Sequence, residues 1–204
     1  FAPSAALLSA SDARAIESDW ADLAANAIEP NPFYAPALLI PALDAFADEA
    51  VRIATVRDER GRLIALAPVA PCFGYSHLPV RYVSTWMHDH CFFAAPLVRR
   101  GSEERALSGL FDLVEGEGAF FRLRHLAAGK ALAKASARAA SATGRLSASS
   151  AGRRRAVLIG GFRADGYLEQ ALSSKKRKEL RRLRARLKEQ GALAFETFGG
   201  GDDI

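Results

Sequence analysis

The chain predicts an α/β fold of the α+β kind, with a mixed sheet covered by helices on both faces. Two observations carry this. Residues 51–56 and 63–73 are apolar runs joined by Asp58-Glu59-Arg60-Gly61, the pattern of a β-hairpin. Behind them, strand-length runs at 80–86 and 119–126 alternate with helix-period segments at 102–115 and 130–142, the pattern of βα units. A third observation, a strongly basic helix at 172–191, concerns function more than fold.

Residues 11–27 form a helix whose apolar face is Ile16, Trp20, Leu23, Ala24 and Ala27, with Ser9 or Ser11 as cap. Asn31-Pro32-Phe33-Tyr34 is a turn with an aromatic plug. Pro36 suits the first position of a short helix, which Pro41 must break or restart. Within the hairpin, Pro68 and Pro71 argue that the far end bulges or lies at an edge. The helix at 102–115 takes Ser102 as cap, Glu103 and Glu104 in its first turn, and Leu107, Leu110, Phe111 and Val114 inward. The 130–142 helix is Ala-rich, with high propensity and a poor apolar stripe. Further strands are expected at 155–159 and 193–198, a strand or loop at 145–150, and a short helix at 165–172.

In the basic helix, Leu180, Leu183 and Leu187 fall at i, i+3 and i+7, one narrow face. Ser173 or Ser174 can cap its start and Gly191 its end. Nine cations from Lys175 to Lys188 face only Glu179 and Glu189, a net of +7. The whole chain carries +5, so everything else sums to −2. The basic character belongs to one helix, and adhesion of the whole protein to nucleic acid is not implied. Four of the cations, Lys175 to Lys178, sit in the first turn, where exposed cations oppose the helix dipole at about 0.3–1 kcal/mol each. Free N–H groups beside cations make a seat for an anion such as a phosphate. A solvated face, paired with Asp165 and Glu169 one turn upstream, is the alternative.

At 204 residues, half of them apolar, the chain can bury a sizeable core. Cys72 and Cys91 show no zinc or disulfide spacing and are expected to be reduced thiols of a cytoplasmic protein. No signal-peptide pattern and no run of 18 apolar residues occurs, so no membrane span is expected. The chain begins at Phe1 and stops at Gly199-Gly200-Gly201-Asp202-Asp203-Ile204, just after an expected strand. Trimmed ends and a missing partner half are expected.

His88-Asp89-His90-Cys91 invites a metal or a Cys/His nucleophile, yet His77 and His125 are distant and no third ligand is placed. A loop packed under Trp86 and Phe92-Phe93 is expected instead, with no metal. Gly129-Lys130 lacks the rest of a P-loop, Gly116-Glu117-Gly118 lacks the dinucleotide spacing, and no Gly-x-Ser-x-Gly elbow exists. Trp20, Phe33 and Trp86 lie among apolar residues and are expected in the core.

The order of signals is Trp20-x-x-Leu23, Asn31-Pro32-Phe33, the hairpin, Trp86 followed by Pro96-Leu97-Val98, and Leu-Ser-x-Lys-x-Arg-Lys-x-Leu-Arg-Arg at 172–182. It resembles acyltransferases of the GNAT superfamily similar to the cellulose-biosynthesis protein CelD, which are related to the FemAB-type transferases. The resemblance implies a mainly antiparallel GNAT-like sheet and two tandem halves. Residues 1–171 would be the N-terminal half, and 172–204 the helix and strand leading into a C-terminal GNAT-like half. It implies an acyl-CoA donor, or an aminoacyl-tRNA in the FemAB branch, and an amine acceptor, small or in the cell envelope. GNAT enzymes seat the donor pyrophosphate on an Arg/Gln-x-x-Gly-x-Gly/Ala loop that opens a helix, and 1–204 has none. The donor site is therefore expected mostly in the other half, and this half is expected to be non-catalytic or partly catalytic. Lys175, Arg177, Lys178, Arg181 and Arg182 are the expected phosphate contacts, and the catalytic base has no candidate here. An RNA-binding module using the same helix is the second reading; only Phe195 and Phe198 supply aromatic neighbours to it.

Overall fold

The structure is a computed structural model that describes residues 4–150, 152 and 164–194. The chain divides into two units, residues 1–152 and 153–204.

The first unit is a six-stranded sheet with helices on both faces. Its strands are β1 (Ser4–Leu8), β2 (Arg52–Arg57), β3 (Leu63–Tyr75), β4 (Leu78–Thr85), β5 (Leu97–Val98) and β6 (Phe121–Arg122). Pairing runs β1-β2-β3-β4-β6, and β5 also pairs with β3. All pairs are antiparallel except β4 with β6. The expected mixed, mainly antiparallel sheet is therefore present.

The hairpin forms as its turn residues dictate. Asp58 Oδ1 accepts the N–H groups of Arg60 and Arg62, and Gly61 supplies φ 77°. The far end of β3 both bulges and becomes an edge. Its register shifts between Phe73 and Tyr75, and pairing with β2 stops at Val69. Pro68 forgoes one ladder bond. Its carbonyl accepts from Trp86 on the β4 side. The Trp86 carbonyl, which Pro68 has no N–H to serve, accepts from Tyr34 Oη instead.

One face is covered by α1 (Ala10–Arg14), α2 (Glu17–Ala25) and α3 (Pro36–Phe46). Trp20, Leu23, Tyr34, Leu39 and Leu43 pack there on Ile53, Leu66 and Leu97. The other face is covered by α4 (Glu103–Val114) and α5 (Ala131–Ala142). Leu107, Leu110, Leu132, Ala135 and Ala139 pack on Val56, Ala65, Ala67 and Val83. The small residues of α5, a poor stripe by hydropathy, bring it close to α4. Gly109 lets α4 press on β2, since a Cβ there would lie 2.8 Å from Val56 Cγ1.

Several expectations need correction. The single helix at 11–27 is two, parted at Ile16, whose backbone leaves the helical region at φ −108° and ψ 18°. Pro41 does not break α3: the carbonyl it leaves unpaired is that of exposed Ala37, where water serves. The expected strand at 119–126 shrinks to two residues. Arg124 gives its N–H to Thr85 Oγ1 instead of a main-chain carbonyl, and His125 turns away at φ 53°. Ser102 stands at the cap of α4 but its side chain makes no cap bond. Residues 145–150, expected as a strand or loop, are a loop. Strands β1 and β5 are additions to the sequence-based list. The expected strand at 155–159, and most of that at 193–198, lie outside the described residues.

In the second unit, α6 (Ala164–Ala171) is followed by α7 (Ser174–Glu189), the basic helix. Ser173 caps α7 by accepting the N–H of Lys176, as expected.

Candidate functional site

Helix α7 exposes nearly everything it carries. Leu180, Leu183 and Leu187 are about half exposed, so among the described residues the leucine stripe is not buried. The first-turn cations divide into two pairs. Lys176 lies 3.1 Å from Glu179, an i,i+3 ion pair. Arg177 donates from Nη1 to the carbonyls of Glu169 (3.0 Å) and Leu172 (2.7 Å). That guanidinium therefore satisfies the open C-terminal end of α6 and fixes the corner between the two helices. Lys175 and Lys178 have no hydrogen bond or ion pair among the described residues, nor do Arg181 and Arg182. Lys175, Lys178, Arg182 and Arg186 follow each other at helical spacing on the side away from the leucines. Four like charges along about 16 Å of helix repel one another, with only Glu189 and Glu179, the latter paired with Lys176, within a turn of them. A bound polyanion would relieve that repulsion.

A second place where a helix N-terminus could take an anion is α4, and its chemistry is the opposite. Glu103 Oε1 already accepts the Gly101 N–H at 2.9 Å. Glu104 pairs with Arg138 at 3.3 Å, and Arg105 pairs with Glu59 at 3.1 Å. The shallow groove there, about 330 Å³ and lined by residues 101–105 and Arg138, holds cations that are already neutralised. Two carboxylates in the first turn disfavour a further negative charge.

The third place is residues 86–96. Thr85 stands opposite Val69 and Leu97 opposite Leu66, so β4 and β5 continue one ladder along β3 with the 86–96 excursion between them. The excursion is clamped by Trp20, Asn31, Tyr34 and Trp86. Trp20 Nε1 donates to the Tyr34 carbonyl (2.7 Å). Tyr34 Oη donates to the Trp86 carbonyl (2.6 Å). Asn31 Nδ2 donates to the Ala95 carbonyl (2.6 Å), and Asn31 Oδ1 accepts the Phe33 N–H. Burial pushes the Tyr34 phenol well above its usual range, so the hydroxyl stays a donor.

Inside the excursion, His88 stacks on Phe46 at 4.8 Å between ring centres and leans on Trp86 at 5.4 Å. Its Nδ1 is buried without a hydrogen-bond partner among the described residues, and desolvation, with His90 nearby, lowers its pKa. Cys91 is buried, which denies it a nucleophile's access. Among the described residues no group of three or more His, Cys, Asp or Glu could hold a metal ion. The stretch packs as the loop expected beneath Trp86.

Sequence reasoning missed Arg99. It is buried, donates from Nε to the Leu63 carbonyl (2.9 Å), and pairs with Asp22 at 2.6 Å. Its guanidinium, with help from Arg62, lowers the Asp22 pKa. The two residues lie 77 apart in the chain, a separation that leaves no local signal.

Among the described residues no helix is long and apolar enough to cross a membrane. No protein-family model matches the chain. No curated protein matches it either. Among solved structures it is similar to an aminoglycoside antibiotic 6'-N-acetyltransferase from Acinetobacter baumannii. That likeness has a TM-score of 0.46 and 12% identity, and covers 77% of this chain and 99% of that one.

Proposed function

We propose that the chain is the first of two GNAT-like halves of an N-acyltransferase, of the branch similar to CelD and FemAB. The full protein moves an acyl group from acyl-CoA to an amine of a small molecule or of the cell envelope. The amine nitrogen attacks the thioester carbonyl, the C–N bond forms and the C–S bond breaks. CoA sulfur leaves as thiolate, and the amine's proton passes to a general base. Most of the acceleration comes from holding the two reactants in line.

The observation that carries this reading is the contrast between two helix starts. At α4 the charge is balanced and a carboxylate already takes the Gly101 N–H. At α7, Lys175 and Lys178 in the first turn, with Arg181 and Arg182 just beyond, have no partner among the described residues. An anionic donor therefore finds favourable contacts on α7 and unfavourable ones on α4. Lys175, Lys178, Arg181 and Arg182 meet the donor phosphates, and Arg177 sets the helix corner while keeping donors on its other nitrogens. Residues 1–171 form the first half, and 172–204 lead into the second, where the rest of the donor site and the base reside. Cys72 and Cys91, which form no disulfide among the described residues, suit the cytoplasm, where an acyl-CoA donor is at hand.

The test is a calorimetric titration of acetyl-CoA into the full-length protein and into its Arg181→Ala plus Arg182→Ala variant. Charge-assisted bonds to phosphate are worth about 1.5–3 kcal/mol each, so a loss of tenfold or more is expected. Unchanged affinity would remove the helix from the donor site. Binding of an aminoacyl-tRNA with no binding of acetyl-CoA would replace the donor with the FemAB-type one.

A further inference from the structure

The far end of the β3–β4 hairpin carries a third apolar cluster that belongs to neither core. Tyr82 on β4 and Phe120, just before β6, stack at 4.8 Å and 11°. Tyr75 meets both edge-on, at 5.8 and 5.1 Å. The Arg122 guanidinium sits over the Tyr75 ring at 5.4 Å. Ser76 and His77, at φ 49° and 71°, form the tight turn at the tip, beyond which Leu78 leads into β4. This part of the sheet is open. Phe120 is 36% exposed, Phe73 71% and Leu78 58%.

The charges beside the rings are of one kind. Arg81 and Arg122 are exposed and Arg124 half-buried, and none pairs with a carboxylate among the described residues. Seven other arginines of the unit pair with acids, among them Arg57 with Asp19, Arg99 with Asp22, Arg105 with Glu59 and Arg145 with Asp112, whereas Arg52, Arg60 and Arg100 pair with none among the described residues. An arginine left over beside a half-exposed ring is a pairing that neither the core nor surface solubility requires. Flat rings take flat ligands, and free guanidinium groups take phosphates.

We infer that this sheet end binds single-stranded nucleic acid, with a base stacked against Phe120 and backbone phosphates on Arg81 and Arg122. The inference is independent of the acyl-donor reading and uses no residue of α7. Gly118 fits it as a spacer: a Cβ there would lie 2.6 Å from Tyr82 Cα, so only glycine lets Ala119 and Phe120 run against β4. The ring stack depends on that approach.

The test uses fluorescence anisotropy of a labelled eight-nucleotide oligoadenylate with the full-length protein at low salt. Phe120→Leu keeps the apolar volume and removes the aromatic face, and it should weaken binding about tenfold. Arg81→Gln with Arg122→Gln should flatten the log K against log salt slope by about 1.4, at about 0.7 per phosphate contact. Photo-crosslinks to the strand should map to the Tyr75 and Phe120 peptides. Thermal melts confirm that both variants fold, since each change is at an exposed side chain. Overturning results would be no binding, equal affinity for a duplex of the same length, crosslinks confined to 174–188, or wild-type affinity and slope in both variants. Competition by free AMP as strong per site as the strand itself would also overturn the strand assignment.

Discussion

Replacing Tyr34 by phenylalanine removes one oxygen atom from the clamp that holds residues 86–96. The ring is fully buried and keeps its packing, so no sizeable cavity forms. What is lost is the 2.6 Å bond from Tyr34 Oη to the Trp86 carbonyl, which is left part-buried without that donor. An unsatisfied buried polar group of this kind costs about 1–3 kcal/mol. For a domain of this size each kcal/mol moves Tm by about 2–4 °C, so Tyr34→Phe should melt about 2–12 °C below wild type. The damage should be local first. Chymotrypsin should cut faster after Trp86, Phe92 and Phe93, because the excursion opens before the sheet does. A melt within 1 °C of wild type, with unchanged cleavage, would refute the clamp.

Two further outcomes follow from other buried contacts. Arg99→Ala leaves the Leu63 carbonyl unpaired and should cost about 1–3 kcal/mol in urea unfolding. It should also change the acid response. Arg99, through its hydrogen bond, is the largest cause lowering the Asp22 pKa in the folded protein. The stability linked to Asp22 is therefore present above the unfolded carboxylate pKa of about 3.9 and lost as pH falls through the lower folded value. Wild type should lose more stability than Arg99→Ala across that window; parallel curves would refute the link. Gly118→Ala should destabilise by about 1–3 kcal/mol, since the clash is with the main chain of β4. Gly109→Ala meets only the Val56 side chain, its methyls at 2.8 and 3.2 Å, and regains about 1 kcal/mol of helix propensity, so it should cost less. The reverse order in a thermal melt would contradict the packing described.

The hairpin and helices α4, α5 and α7 were legible because their signals are local: a turn rich in Asp and Gly, a period of 3.6, a serine cap. Strands β1 and β5 were not, because each is stabilised by distant partners. Ser4 pairs with Arg57 and Leu97 with Leu66. The same holds for Arg99 and Asp22. Asn31, Tyr34 and Trp86 stood out in the sequence as motif residues, and their role is now a physical one, closing a loop onto the sheet. The first-turn cations of α7 were legible by count, but not that Arg177 turns back to the carbonyls of α6. Side-chain direction decides that, and spacing alone does not fix it. The aromatic shelf at Tyr75, Tyr82 and Phe120 escaped notice because its members come from three separate stretches.

The proposed acyl-CoA donor should meet the start of α7 and avoid the start of α4. Hydrogen–deuterium exchange of the full-length protein with and without acetyl-CoA reads both helices in one experiment. Slower exchange on binding is expected in peptides covering 173–182, with no change at 101–106. Protection at 101–106 with none at 173–182 would place the donor where Glu103 and Glu104 stand, and would contradict the claim.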